Sequence, residues 1–454
     1  MSNKNTLIND LTEGPLSRQI ILFSIPLILG NLLHTLYNLV DMAVVGQFVG
    51  SEGLSAVATS GQVTMLMYCL GIGLATGGQI LIAQQVGAGD REGVRKTIGT
   101  SFTFTILLSI AVTALGLIFY TPLLRALNTP EEAWTDAVEY LFWCCLGVPF
   151  TYLNGGLSSL LRGMGDSKHP TWFVAAAAIA NIILDLVLVA AFGMRAKGAA
   201  IATSAAQLIG AAACIVYLYH NRDKLGFDFR LESFRMDRRI LVTMLRLAAP
   251  LAFQTISINI SMIFVNSWVN AYGVIVSAVN GVGTKLYSLA TVVTHAMQSA
   301  VATFTGQNIA ARKQERVVKT MEISTIFTMI FWLCSTAICV FLPKLVFGLF
   351  THEDAVLEMA PGYMLIQIVM YLSFALMSPP LGFITGIGYV SLNLIIAIMD
   401  GVVARIGLSL ILARLMEGPQ AYWWASALAG FVSVIWGWLY FRSGRWKGRK
   451  LLTD

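Results

Sequence analysis

Between Arg18 and Arg442 the chain is a succession of long apolar runs separated by short polar segments. The runs cover 18–46, 53–86, 96–120, 134–160, 170–192, 198–219, 241–269, 275–308, 319–342, 358–384, 391–414 and 420–441. Each is long enough to cross a hydrocarbon core of about 30 Å as a helix. No regular ten-residue alternation of the kind a membrane β-barrel requires is present. The pattern therefore predicts an all-α polytopic membrane protein with twelve transmembrane helices. Pro26, Pro149, Pro250 and Pro379 lie in or near the runs, as membrane helices tolerate when neighbours re-satisfy the backbone.

The pattern also repeats. Gln84–Thr97 (QQVGAGDREGVRKT) aligns with Gln307–Thr320 (QNIAARKQERVVKT) at an offset of 223 residues, with six of fourteen positions identical. The same offset carries Tyr140 onto Tyr363, Gly163 onto Gly386 and Gly165 onto Gly388, and Pro26 meets Pro250 with one residue of slippage. The chain divides accordingly into a cytoplasmic segment 1–17, an N-terminal lobe 18–219, a linker 220–240, a C-terminal lobe 241–441 and a basic cytoplasmic tail 442–454. Six spans per half is an even number, so the two six-helix lobes run the same way through the bilayer and are related by an axis along its normal. Such a plan places a substrate cavity between lobes and suits alternating access.

Composition excludes a water-soluble fold: of 454 residues 56% are hydrophobic and 12% charged, against about 25% charged in ordinary soluble domains. The net charge of +6 reflects loop asymmetry. With both termini inside, the inner segments hold Arg91, Arg95, Lys96, Arg162, Lys168, the cluster from Arg222 to Arg246, Arg312, Lys313, Arg316, Lys319 and the tail. The outer ones hold only Arg125, Arg195, Lys197, Lys344 and Arg414. The positive-inside rule then fixes the orientation in the inner (cytoplasmic) membrane. No removable signal peptide is read at the start. The six cysteines lie in apolar stretches without metal-ligand spacing. No phosphate-binding loop and no zinc-protease motif occur, so neither ATP nor a cofactor is expected, and nothing points to nucleic acid.

Polar groups inside the spans carry the candidate chemistry, because a charge in hydrocarbon is costly and marks a pathway or an interior face. In the first span Asn31, His34, Asn38 and Asp41 share one helical face. In the fifth, Asn181 and Asp185 are one turn apart, and in the sixth so are Thr203 and Gln207. These oxygen donors suit a hard cation such as sodium. Alternatively, the two acids repel one another so that one of them holds a proton. Asn154, with His34, Asn38 and Gln207, is a candidate for the substrate cavity. In the C-terminal half Asp400 and Arg405 are expected to form a structural ion pair, water-assisted because a spacing of five is imperfect on an α-helix. Lys285 and His295 lie in the eighth span without an assigned role.

Three segments carry a family likeness: the opening LTEGPLSRQIILFSIPLILGNLLHTLYNLVDMAVVGQFVG, GQILIAQQVGAGD at the end of the second span, and LRGMGDSKHP after the fourth. From about Gly14 to Arg442 the chain resembles the multidrug and toxic compound extrusion (MATE) family, in particular its prokaryotic DNA-damage-inducible F branch. The resemblance implies a V-shaped pair of six-helix lobes and export of amphipathic, often cationic compounds in exchange for sodium ions or protons. It also implies a cation site at Asp41, Asn181, Asp185 and Thr203. The NorM-like branch is associated instead with acids in spans seven and ten. Here span seven offers Gln254, Asn259 and Asn266 and no acid, which speaks against a C-terminal cation site.

Two other readings compete. A lipid-linked precursor flippase of the same plan requires a basic cavity for pyrophosphate, and the spans hold few basic residues beyond Lys285 and Arg405. An intramembrane enzyme would use Asp41 and Asp185 as a catalytic pair, and transport of unaltered substrate would eliminate it.

Overall fold

The structure, a computed structural model, describes residues 8–452. The first seven residues of the expected cytoplasmic segment and the last two of the tail lie outside the described residues. Among the described residues regular structure is entirely helical, and each of the twelve apolar runs forms one long helix. These are α1 Leu16–Phe48, α2 Ser51–Gly87, α3 Arg91–Ala126, α4 Trp134–Gly163, α5 Lys168–Ala191, α6 Arg195–His220, α7 Arg238–Asn270, α8 Val274–Ala310, α9 Gln314–Phe341, α10 Asp354–Gly386, α11 Val390–Leu415 and α12 Gln420–Arg442. Helices are the solution hydrocarbon imposes, since all their backbone hydrogen bonds are internal. Most extend past the apolar run by a few residues, and α3 is capped by a polar side chain. It starts at Arg91 because the Asp90 carboxylate accepts a hydrogen bond from the Gly93 amide at 2.8 Å.

Ten of the twelve are long and apolar enough to cross a membrane. The others, α4 and α8, are 30 and 37 residues long but dilute their apolar residues with Tyr, Trp, Asn, Thr, Ser and Gly. Both bury a large share of their residues against the rest of the protein, which removes the need for a lipid-like surface.

The chain forms two compact units, one built from residues 25–252 with the N-terminal residues up to Leu11, the other from 12–24 and 253–452. Their boundaries differ from a division at the linker, because α1 and α7 each pass from one unit to the other. Both change unit beside a proline, Pro26 or Pro250, where the ring removes a backbone donor and loosens the helix.

In the first unit, the chain ahead of α7 lies on the start of α3. Phe234 stacks at a tilt on Phe102 with centroids 5.0 Å apart, Thr103 Oγ1 donates to Phe234 O at 2.7 Å, and the Asp237 amide donates to Thr100 Oγ1 at 3.0 Å. In the second unit the chain around the start of α1 lies in the same way on the start of α9. Lys313 Nζ donates to Thr12 O at 3.1 Å and Arg316 donates to Gly14 O at 2.9 Å.

The repeat is visible in the backbone. Left-handed residues recur at the 223-residue offset: Gly50 and Gly273 ahead of α2 and α8, Gly165 and Gly388 after α4 and α10. Gly89 pairs with Arg312, which keeps the turn at φ 58° without being glycine. Burial recurs as well. On α6 and α12, Gly198, Gln207, Gly210 and Cys214 match the buried Ala421, Gly430, Ser433 and Gly437. On α5 and α11, Pro170, Phe173 and Ala177 match Asn393, Ile396 and Asp400 at the same offset. A π-helical stretch, Ile398–Ile406, then inserts one residue. Near its end and beyond it, Asn181 matches Arg405 and Asp185 matches Ser409, one residue further along. The same one-residue slip relates α1 to α7, where Ile20, Tyr37, Asp41 and Val45 match Met244, Ser261, Val265 and Val269, all buried.

Candidate functional site

On α5 the usual arrangement of a soluble helix is inverted. Ile179 and Ile183 are exposed while Asn181 and Asp185 are fully buried, as expected where the outside is lipid and polar groups must turn inward. The α-helical pattern ends at Asp185 and a π-helical stretch, Leu186–Ala191, follows. Asp41, two turns before the end of α1, is likewise buried within the first unit, and it lies within electrostatic reach of Asp185. Tyr37, Tyr140 and Cys144 also lie within its reach.

The hydrogen bonds leave a surplus of acceptors here. Asn181 Nδ2 donates to Thr203 Oγ1 at 3.3 Å, which occupies the amide nitrogen and leaves its oxygen available. Asn181 Oδ1, Asp41 Oδ1 and both carboxylate oxygens of Asp185 are buried without a hydrogen-bond partner. Burying acceptors of this kind unmatched is expensive. A cluster of two carboxylates, an amide oxygen and a hydroxyl suits a small hard cation or a proton. Among the described residues no group of three or more His, Cys, Asp or Glu side chains is arranged to hold a metal ion.

The four residues read as cavity-lining separate into two pairs. Asn154 and Gln207 are buried and bonded to each other, Asn154 Nδ2 to Gln207 Oε1 at 2.9 Å, and Gln207 Nε2 donates on to the Tyr37 hydroxyl at 3.3 Å. Gly210 leaves the room for this chain, since a Cβ there would stand 2.8 Å from Asn154 Nδ2. His34 and Asn38 are instead exposed and bonded to each other at 3.2 Å. The polar face of α1 is thus divided, with Asn31, His34 and Asn38 at the surface of the unit and Asp41 inside it.

In the second unit Asp400 and Arg405 do pair, Arg405 NH2 lying 3.4 Å from Asp400 Oδ1, both buried. The spacing of five works directly because the π-helical stretch Ile398–Ile406 aligns residues five apart. Ser433 Oγ on α12 donates to the other carboxylate oxygen at 2.6 Å. Lys285 is half-buried and His295 exposed.

A single family model, MatE, matches the chain twice, over residues 26–187 and 250–411. The chain belongs to the MatE family. The two matches are 224 residues apart, so the internal repeat is a property of the MATE fold itself. Among similar proteins, the probable multidrug resistance protein YoeA of Bacillus subtilis is 30% identical over 79% of this chain and 78% of its own length. An FAD transporter of Shewanella oneidensis is 24% identical over 80% of each chain. A solved multidrug resistance MATE transporter of the MOP superfamily, in an outward-facing conformation, superposes with a TM-score of 0.90 at 25% identity, covering 97% of this chain and 98% of that one. The fold is therefore that of a MATE multi-pass membrane transporter of the multidrug-efflux type.

Tyr37 is the residue of this candidate site that sequence reasoning passed over. Its signal was present: it stands four residues before Asp41, on the same helical face.

Proposed function

We propose that this chain is a secondary active exporter of amphipathic, often cationic compounds, driven by sodium ions or protons exchanged at Asp41, Asn181, Asp185 and Thr203. The observation that carries this reading is the set of four buried, unpartnered oxygens on Asp41, Asn181 and Asp185. Two acids within reach of each other, away from water, favour holding a cation between them. Releasing that cation makes the cluster unstable in its buried form, and this instability ties the conformation of the unit to the ion gradient.

In this scheme the Asn154–Gln207–Tyr37 chain links α4 and α6 to the helix that carries Asp41, and the exposed His34 and Asn38 offer polar contacts to the transported compound. The distribution of Lys and Arg supports a placement in the inner membrane with both termini cytoplasmic. Transport draws on no ATP and no bound cofactor.

The test is efflux of a fluorescent cation such as ethidium from proteoliposomes, with a sodium or a proton gradient imposed separately. Efflux driven by one gradient and lost in Asp41→Asn supports the proposal and names the ion. Efflux indifferent to both gradients overturns the coupling. Because one relative is an FAD transporter, the same vesicles loaded with flavin dinucleotide read the alternative of an anionic, pyrophosphate-bearing substrate.

A further inference from the structure

The buried positions of the second unit can be matched one by one to the N-terminal cluster. Asp41 corresponds to Val265, Asn181 to Arg405 and Asp185 to Ser409. Both carboxylates have become neutral side chains and the amide has become a guanidinium. One acid is present, Asp400, where the first unit has Ala177. Around it are oxygen donors. Ser433 Oγ donates to Asp400 Oδ2 at 2.6 Å, while Ser409 Oγ, two turns further along, donates to Arg405 O at 2.7 Å. Ser261, the counterpart of Tyr37, lies so near that a Cβ on Gly401 would be 3.3 Å from its Oγ.

Arg405 makes only part of the contacts it can. Its NH2 reaches Asp400 Oδ1 at 3.4 Å, and its Nε and NH1 are buried without a hydrogen-bond partner. A guanidinium placed for structural recognition of a carboxylate bonds it bidentately, with short parallel contacts. This one supplies its charge and little else, beside a buried carboxylate that would otherwise lack a counter-charge.

We propose that Arg405 is a built-in cation: its guanidinium fills, in the C-terminal unit, the seat that an exchangeable sodium ion or proton fills in the N-terminal unit. One repeat therefore responds to the gradient while the other is permanently neutralised. Removing the guanidinium turns Asp400 and its serine neighbours into a site for small monovalent cations. The proposal rests on the reading of the Asp41–Asp185 cluster as a cation site.

The experiment measures the unfolding temperature of the purified full-length protein in detergent at constant ionic strength, with sodium or guanidinium ion at low millimolar concentration as the probe. In an Asp41→Asn, Asp185→Asn background neither ion is expected to stabilise. Adding Arg405→Ala is expected to restore saturable stabilisation by guanidinium, and by sodium to a smaller extent, and a further Asp400→Asn is expected to abolish it. Recovery of the Arg405→Ala protein only when guanidinium is present during purification would support the same conclusion. An Arg405→Ala protein that gains no cation-specific stabilisation, or gains as much without Asp400, overturns the proposal. So does an Arg405→Met protein as stable and as indifferent to cations as Arg405→Lys. Failure of the N-terminal reading shows separately, as a native protein indifferent to sodium and to pH whose Arg405→Ala form still gains a response.

Discussion

Asn181 and Arg405 occupy corresponding buried positions on the fifth helix of their repeats, and the charged groups near each are arranged differently. One turn from Asn181 is Asp185, itself within electrostatic reach of Asp41, and both acids have unpartnered oxygens, whereas beside Arg405 is one acid already paired with it and with Ser433. A buried charge needs a counter-charge. The second arrangement carries its own, whereas the first leaves three carboxylate oxygens unpartnered. An exchangeable cation lets a gradient do work on the unit that holds it, while a tethered one makes its unit indifferent to the gradient. The two copies of one fold differ at these few buried positions, and on the proposal above one copy responds to the gradient while the other is fixed.

The sharpest way to break this comparison is to neutralise the acids one at a time. Asp41→Asn and Asp185→Asn are each expected to reduce gradient-driven efflux to background while the protein still accumulates in the membrane, since an amide keeps the shape and removes the charge. Vesicle efflux alongside a quantified membrane fraction reads both. Normal coupled efflux in both variants would remove the N-terminal cluster from the mechanism.

In the second unit the same logic predicts damage to stability. Arg405→Gln leaves Asp400 buried without its counter-charge, a loss of about 3–5 kcal/mol for breaking such a pair. Asp400→Asn combined with Arg405→Gln is expected to recover most of it, with efflux still tied to the gradient. Thermal unfolding of the single and double variants measures the difference. Equal destabilisation by both would mean that the pair matters for shape and not for charge.

The comparison also shows which parts of this molecule can be read from residues alone. The twelve helices, the offset of 223 and the N-terminal acids were legible because a polar residue in a long apolar run stands out and because both repeats kept turn residues such as Gly165 and Gly388. The one-residue slip inside α11 was not, because regular helical spacing assumes 3.6 residues per turn. A spacing of five therefore looked imperfect until the π-helical stretch placed Asp400 and Arg405 together. The passage of α1 and α7 between units was equally hidden, since Pro26 and Pro250 mark a weak point in a helix without saying what packs on either side of it. The division of the α1 polar stripe, with His34 and Asn38 outside and Asp41 inside, depends on neighbours that periodicity does not name.

A smaller effect sharpens the contrast between Gln207 and its counterpart Gly430. Gly210→Ala places a methyl group 2.8 Å from Asn154 Nδ2 and must displace the Asn154–Gln207 bond, at a cost of about 1–3 kcal/mol for overpacking. Cys214, one turn further along α6 and equally buried, is a control position that does not touch the amide chain. A fall in apparent substrate affinity for Gly210→Ala, without loss of gradient dependence, would place the amide chain on the substrate side of the mechanism.

Tyr37→Phe is expected to have the least effect, and its direction is informative. The substitution keeps the ring, which meets His34 edge-on at 4.8 Å, and removes the hydroxyl that accepts from Gln207 at 3.3 Å. The lost bond is worth about 0.5–1.5 kcal/mol, too little to unfold the unit. The same hydroxyl lies within electrostatic reach of Asp41, so its removal also changes the polarity around the acid proposed to bind the coupling ion. The phenyl variant is therefore expected to transport at a near-native rate while the ion concentration giving half-maximal efflux shifts a few-fold. In the second unit the corresponding change, Ser261→Ala, is expected to leave that concentration unmoved, because the charge beside it is fixed. Equal shifts in the two variants would mean that both repeats sense the gradient, and the division of labour between them would fall.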